Sequence, residues 1–176
     1  TISAGFDHMK YVVKRNQTVK ITGEISGTGT NYDSIYFNDD IQIEPGFLKF
    51  EHTDGLNYLY TEMRRFDKLI SNKNLNLNFV GGIGIGLLRP RTDATVLNYK
   101  RNDKYHITGY GINATLGVNL TLYKYFFIQS EFKPGFINMP KIRPTANPSD
   151  YASQRFFFSQ VNILFGVNFS FHKKKK

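Results

Sequence analysis

Along residues 74 to 88 the chain alternates. Leu75, Leu77, Phe79, Ile83, Ile85 and Leu87 fall on one parity, Asn74, Asn76, Asn78, Gly82, Gly84 and Gly86 on the other. Residues 110 to 122 repeat the device, with Tyr110, Ile112, Ala114, Leu116, Val118, Leu120 and Leu122 opposite Gly111, Asn113, Thr115, Gly117, Asn119 and Thr121. From Val161 to Phe171 the odd positions are again large and apolar, and the even ones mostly polar or Gly. A period of two marks a β-strand with two unlike faces. Strands of soluble sheets usually stop after about 5 or 6 residues and favour Lys, Glu and Thr on the exposed face; these runs last about 13 to 17 residues, with Gly and Asn on the less oily face.

Working back from the C-terminal end, the pattern predicts strands near 154–171, 125–139, 105–122, 74–88 and 56–69. Residues 2–13 and 18–26 read as a hairpin around Arg15-Asn16, and 47–53 as a further strand joined to the next through Asp54-Gly55. Short polar turns at 70–73 and around Lys124 alternate with long polar connections at 89–104 and 140–153. The predicted fold is all-β: an antiparallel up-and-down transmembrane β-barrel of eight strands, whose narrow interior suits small Gly and Asn side chains. This count sends the long segment 27–45 to the side of the short turns. Either that segment is an exception, or 47–69 is one bulged strand and a further strand precedes Thr1.

The chain of 176 residues fits one domain, a barrel over 1–172 followed by a basic tail, Lys173 to Lys176. No run of about 18 apolar residues occurs, so a spanning helix is excluded while a spanning barrel, whose strands are only half apolar, is not. The opening TISAGFDHMK is not a secretory signal, so any export segment is removed or lies outside the sequence. Cysteine is absent, which rules out disulfides and thiolate chemistry. Lys and Arg exceed Asp and Glu by 23 − 14 = 9, yet outside the tail the basic residues are spread over loops rather than grouped on one face, which argues against nucleic acid as partner.

Phe169 and Phe171, with Gly166 ahead of them, resemble the C-terminal assembly signal of bacterial outer-membrane β-barrels. The whole chain resembles the small outer-membrane proteins of the outer-membrane protein A transmembrane-domain type, through its architecture and this Gly-x-x-Phe-x-Phe stretch. The resemblance implies the bacterial outer membrane, contact with membrane lipids and lipopolysaccharide, and a structural or accessory role without a cofactor; a larger outer-membrane protein complex is a further candidate partner that the sequence leaves open. A lipid A deacylase-like hydrolase is the alternative and a small channel the third reading.

Charges that alternation turns inward must find partners in a narrow interior. Glu131 and Lys133 lie opposite the apolar side of 125–139, Lys20 and Glu24 opposite Val19, Ile21 and Ile25, and Glu62 and Arg64 share a face of 56–69. They are expected to form a salt-bridge network that plugs the barrel, so that removing Glu131 would strand Lys133. Glu51-His52-Thr53-Asp54 unites base, hydroxyl and carboxylates, and resembles the His-x-Ser stretch of lipid A deacylases, with Asp54 where the nucleophilic Ser would stand. Because Leu48, Phe50 and His52 share a face, the imidazole is expected at the lipid-facing rim. His8 with Asp7 or His52 lacks metal-site spacing, so no metal is expected. Gly81 to Gly86 resembles a phosphate loop but sits inside an alternating strand. The loops differ in sign. Arg89, Arg91, Lys100, Arg101 and Lys104 outweigh Asp93 and Asp103 by three and suit lipopolysaccharide phosphates, whereas 27–45 carries Asp33, Asp39, Asp40 and Glu44 without a cation and suits a cation or basic partner.

Overall fold

A computed structural model describes residues 1–169, the side chain of Lys104 apart. The expected terminal Phe171 and the tail Lys173 to Lys176 lie outside the described residues. All regular structure among the described residues is β: β1 (Ile2–Met9), β2 (Thr18–Ile25), β3 (Ser34–Gln42), β4 (Leu48–Glu51), β5 (Leu56–Ser71), β6 (Leu75–Leu88), β7 (Arg91–Val96), β8 (Tyr99–Lys104), β9 (Gly109–Leu122), β10 (Phe126–Ile142) and β11 (Ala152–Val167). Six of them form one antiparallel sheet in the order β1-β5-β6-β9-β10-β11.

The sheet curls, because side chains of strands that are not neighbours meet over its concave face: Arg64 of β5 reaches Glu131 of β10, and the rings of Tyr58 and Phe158, on β5 and β11, lie 6.2 Å apart. Alternation sorts the two faces as the pattern predicts. Ile83, Ile85, Leu116 and Val118 are exposed on the convex side, while Asn113, Thr115, Asn119, Gln129, Glu131 and Lys133 are buried on the concave side. Short turns at 72–74 and 123–125 close one end. In the first, the Asn72 side-chain oxygen accepts the backbone N–H of Asn74 and of Leu75, a local substitute for ladder bonds.

The opposite end carries the long connections 10–55, 89–108 and 143–151. The second contains the hairpin β7–β8, which with β4 makes a three-stranded sheet, Phe50 facing Ala94 in register. Under it lies the apolar core: Phe50, Leu56, Tyr58, Leu88, Ile137, Met139 and Ile142 are buried together, with Tyr11 and Phe156 packed against them. Hydrophobic burial is therefore concentrated at this end, whereas the rest of the concave face is mostly polar, with Val80 buried among it.

Three expectations are corrected. The large sheet holds six strands rather than eight. β1 pairs with β5, not with β2, which pairs instead with β3 from the segment expected to be an acidic loop. Gly5 makes room for the Tyr60 ring in this pairing, since a Cβ there would sit 2.2 Å from Cζ of Tyr60. Lys20 and Glu24 consequently stand exposed on the β2–β3 hairpin, Lys20 paired with Asp40 at 2.8 Å, and take no part in the concave-face network. Residues 27–45 belong to the same long connection as β2 and β4, so no long connection joins strands at the short-turn end.

β1 and β11 share no ladder. Being first and sixth in an antiparallel series, they run in opposite directions. Between them lies a groove of about 620 Å³ lined by Ser3 to Asp7, Tyr60, Arg64, Glu131 and Val161 to Leu164. The edges approach at the core end, where Tyr11 and Phe156 stack at 5.2 Å.

Candidate functional site

The polar concave face is built by strands whose alternate positions were legible as inward. Glu62 on β5 is fully buried and accepts from the Thr115 hydroxyl at 2.8 Å, from the Asn113 amide, and from Arg64 Nε at 2.7 Å. Arg64 also donates to Glu131, which accepts from the Gln129 amide; Gln129 in turn accepts from Asn119 at 2.8 Å. The Tyr58 hydroxyl donates to Asn113 Oδ1 at 2.9 Å. A second pair joins Lys133 Nζ to Asp7 Oδ2 at 2.6 Å, the ammonium resting 3.3 Å from the ring centroid of Tyr60. Three carboxylates and two cations are thus held in fixed hydrogen-bonded geometry, which is what buried charge requires. Gly84 is needed beside them, because a Cβ there would come within 2.5 Å of Glu62 Cγ and 2.8 Å of Asn113 Oδ1.

Of the six charges expected to form this network, Glu62, Arg64, Glu131 and Lys133 lie in it and Lys20 and Glu24 do not. Glu131 faces Arg64 rather than Lys133, whose partner is Asp7. Asp7 enters the sequence reading only as a metal partner weighed for His8, although Ala4 and Phe6 alternate with it on β1 and could have marked its inward face.

The Glu51 to Asp54 cluster disperses. His52 is fully buried, its backbone N–H bound to the Tyr11 carbonyl at 2.7 Å and its Nδ1 paired with the Thr92 hydroxyl at 3.1 Å. The Phe50 ring meets it edge-on at 5.2 Å, and among the described residues no group lies close enough to Nε2 to form a hydrogen bond of ordinary geometry, Gln154 included. Burial pulls its pKa down from 6.5 to about 4, and the Gln154 side chain and Arg91 backbone, which favour the charged form, do not offset it. Glu51 turns to Lys49 at 3.1 Å and accepts from the Thr53 hydroxyl at 3.3 Å, while Asp54 pairs with Arg91 at 2.9 Å. His52 therefore does not stand at an outer rim: the face it shares with Leu48 and Phe50 is the one the small sheet turns onto the core. The hydroxyl beside the base is Thr92, itself buried.

The basic segment is divided. Arg89 donates to the Tyr105 carbonyl at 2.7 Å, Arg91 is bound by Asp54, Arg101 pairs with Asp103 at 3.1 Å, and Lys100 is exposed. The side chain of Lys104 lies outside the description. In the acidic segment, Asp33 accepts from the Thr28 hydroxyl and backbone, the hydroxyl first among the groups that hold its pKa below the ordinary carboxylate value. Asp39 accepts the Phe37 N–H at 2.7 Å, Asp40 pairs with Lys20, and Glu44 accepts from the Tyr32 hydroxyl at 3.4 Å. These carboxylates serve local turns, and among the described residues no three metal-type ligands converge. His8 pairs with Asn57 at 2.9 Å.

No protein-family model matches the sequence, and comparison with curated proteins and with solved structures returns no match.

Proposed function

We propose that the chain is an integral β-barrel protein of the bacterial outer membrane, acting as a structural or accessory subunit whose interior is plugged by ion pairs and does not conduct. One observation carries this reading: the curled sheet is oily outside and charged inside. Ile83, Val161 and Phe165 are 69%, 74% and 74% exposed on the convex face, while Glu62 and Lys133 on the concave face are 0% exposed. A water-soluble monomer rarely exposes contiguous apolar patches larger than a few hundred Å². The band ends in exposed aromatic residues, Tyr123 and Tyr125 at the short turns and Tyr99 and Tyr110 toward the long connections, as the two interfaces of a membrane favour.

In hydrocarbon the open edges of β1 and β11 would each leave unpaired backbone groups at a cost of several kcal/mol apiece. Their opposite directions admit an even number of further antiparallel strands. Pairing of the two edges, directly or through such strands, would close the sheet around Tyr58, Tyr60, Arg64 and Lys133. The basic segment faces lipopolysaccharide phosphates in this account, and the exposed β2–β3 hairpin offers a surface to a larger complex.

Refolding tests the reading. Native β-structure with altered electrophoretic mobility of the unheated protein is expected in detergent micelles or lipid vesicles and not in plain buffer. A well-dispersed folded monomer in plain buffer overturns it.

A further inference from the structure

The convex surface of β1, β5 and β6 carries two adjoining depressions. One, about 380 Å³, lies toward the long connections and is lined by Phe6, His8, Asp54, Asn57, Leu59, Arg89 and Tyr105. The other, about 510 Å³, continues along the sheet past Ala4, Leu59, Ile85, Leu87 and Tyr110. Leu59 lines both.

The first has a fixed cation. Arg89 Nε donates to the Tyr105 carbonyl at 2.7 Å, its guanidinium carbon lies 5.9 Å from the Tyr105 ring centroid, and its backbone carbonyl accepts from Asn57 at 3.1 Å. Among the described residues no carboxylate pairs with Arg89, and Asp54 is bound by Arg91 at 2.9 Å. The terminal guanidinium nitrogens keep donors for an anion, in the planar arrangement that suits phosphate. The second depression is lined by aliphatic and aromatic carbon at exposed positions, with Leu59, Ile85 and Leu87 pointing away from the concave face.

We propose that the two depressions together hold one phosphate-bearing acyl lipid, its head group on Arg89 and its chain along Leu59, Ile85 and Leu87. The site rests on the membrane reading above. A lipid rather than free phosphate is the ligand because the depression that holds Arg89 adjoins, at Leu59, one lined mainly by apolar side chains.

The test refolds the full chain into phosphatidylcholine vesicles, scores insertion by the mobility difference between heated and unheated protein, and then repeats the preparation with phosphatidylglycerol added. Lipid retained after extraction into mild detergent is counted by native mass spectrometry. The intact protein is expected to keep phosphatidylglycerol in preference to phosphatidylcholine, and Arg89→Ala to weaken that retention on the order of tenfold, the loss of a charge-assisted contact. Lys100→Ala, outside the depression, is expected to leave it unchanged. Ile85→Ser, which removes an exposed side chain without touching Arg89, is expected to weaken it independently. Equal retention by the intact protein and Arg89→Ala after normal insertion overturns the site alone, as does displacement of the lipid by inorganic phosphate. Failure to insert into phosphatidylcholine overturns the membrane reading itself.

Discussion

Lys133 Nζ on β10 donates to Asp7 Oδ2 on β1 at 2.6 Å, joining two strands that share no backbone ladder. β11 lies between β10 and the unpaired edge, so the ion pair crosses the seam on its concave side. The ammonium is shielded by Tyr60 and fully buried. A buried charge that loses its partner is costly, whereas replacing both members by apolar groups is often close to neutral.

Asp7→Asn is therefore expected to destabilise the protein by about 3 to 5 kcal/mol, and the double variant Asp7→Asn with Lys133→Met to recover most of that loss. Urea unfolding in vesicles measures both. A cost for Asp7→Asn within about 0.5 kcal/mol, the range of ordinary surface changes, would mean that the pair does not hold the seam.

The other buried cation, Arg64, sits between Glu62 and Glu131. With these side chains bound across the concave face, planar-bilayer recordings are expected to show no steady conductance for the intact protein. Arg64→Ala leaves two carboxylates facing one another without their cation, and transient openings selective for cations are the expected result. Steady porin-sized conductance of the unmodified protein would contradict a plugged interior.

His52 gives the layer over the core a pH dependence with a definite sign. Its folded pKa of about 4 lies below the ordinary 6.5, so protonation favours the opened state. The stability it allows is fully present above about pH 6.5, falls as pH drops toward 4, and levels off below, a change of about 3 kcal/mol for a shift of this size. Hydrogen exchange of the amides of β4 and β7 between pH 7 and 4 reads this opening, and His52→Gln, neutral throughout, is expected to flatten the profile. Since the imidazole meets Thr92 in the interior and neither Glu51 nor Asp54, His52→Ala is expected to leave the acylation of lipid A unchanged in cells carrying the protein. Loss of an acyl chain that depends on His52, seen by mass spectrometry, would revive the hydrolase alternative.

Faces were legible in the sequence and partners were not. The period of two in β6, β9, β10 and β11 depends only on neighbouring residues, so the separation of Ile83 from the face of Gly82 and Gly84 followed from it, and the small Gly and Asn side chains marked that second face as the concave one. Pairing depends on residues far away. β1 and β2 read as a hairpin because they are adjacent in sequence, yet β1 finds β5, and the charges of β2 leave the concave face with their strand. The same distance effect exchanged the ion-pair partners: Glu131 and Lys133 share a face two residues apart, but each meets a residue on another strand. For His52 the parity was read correctly and its direction was not, since Leu48 and Phe50 share a face with it that turns onto the core. An alternating pattern separates two sides without telling which one faces inward.

If the convex face lies against lipid while the concave face is packed and polar, successive residues of β9 meet different surroundings. Spin labels placed singly at Ile112, Leu116, Val118 and Leu120, and at Asn113, Asn119 and Thr121, test this in reconstituted vesicles. Collisions with dissolved oxygen and with a water-soluble nickel complex are measured at each position. High oxygen and low nickel accessibility are expected at the first set, alternating with low accessibility to both at the second. High nickel accessibility at Ile112, Leu116 and Val118 would contradict it, because those side chains would then face water.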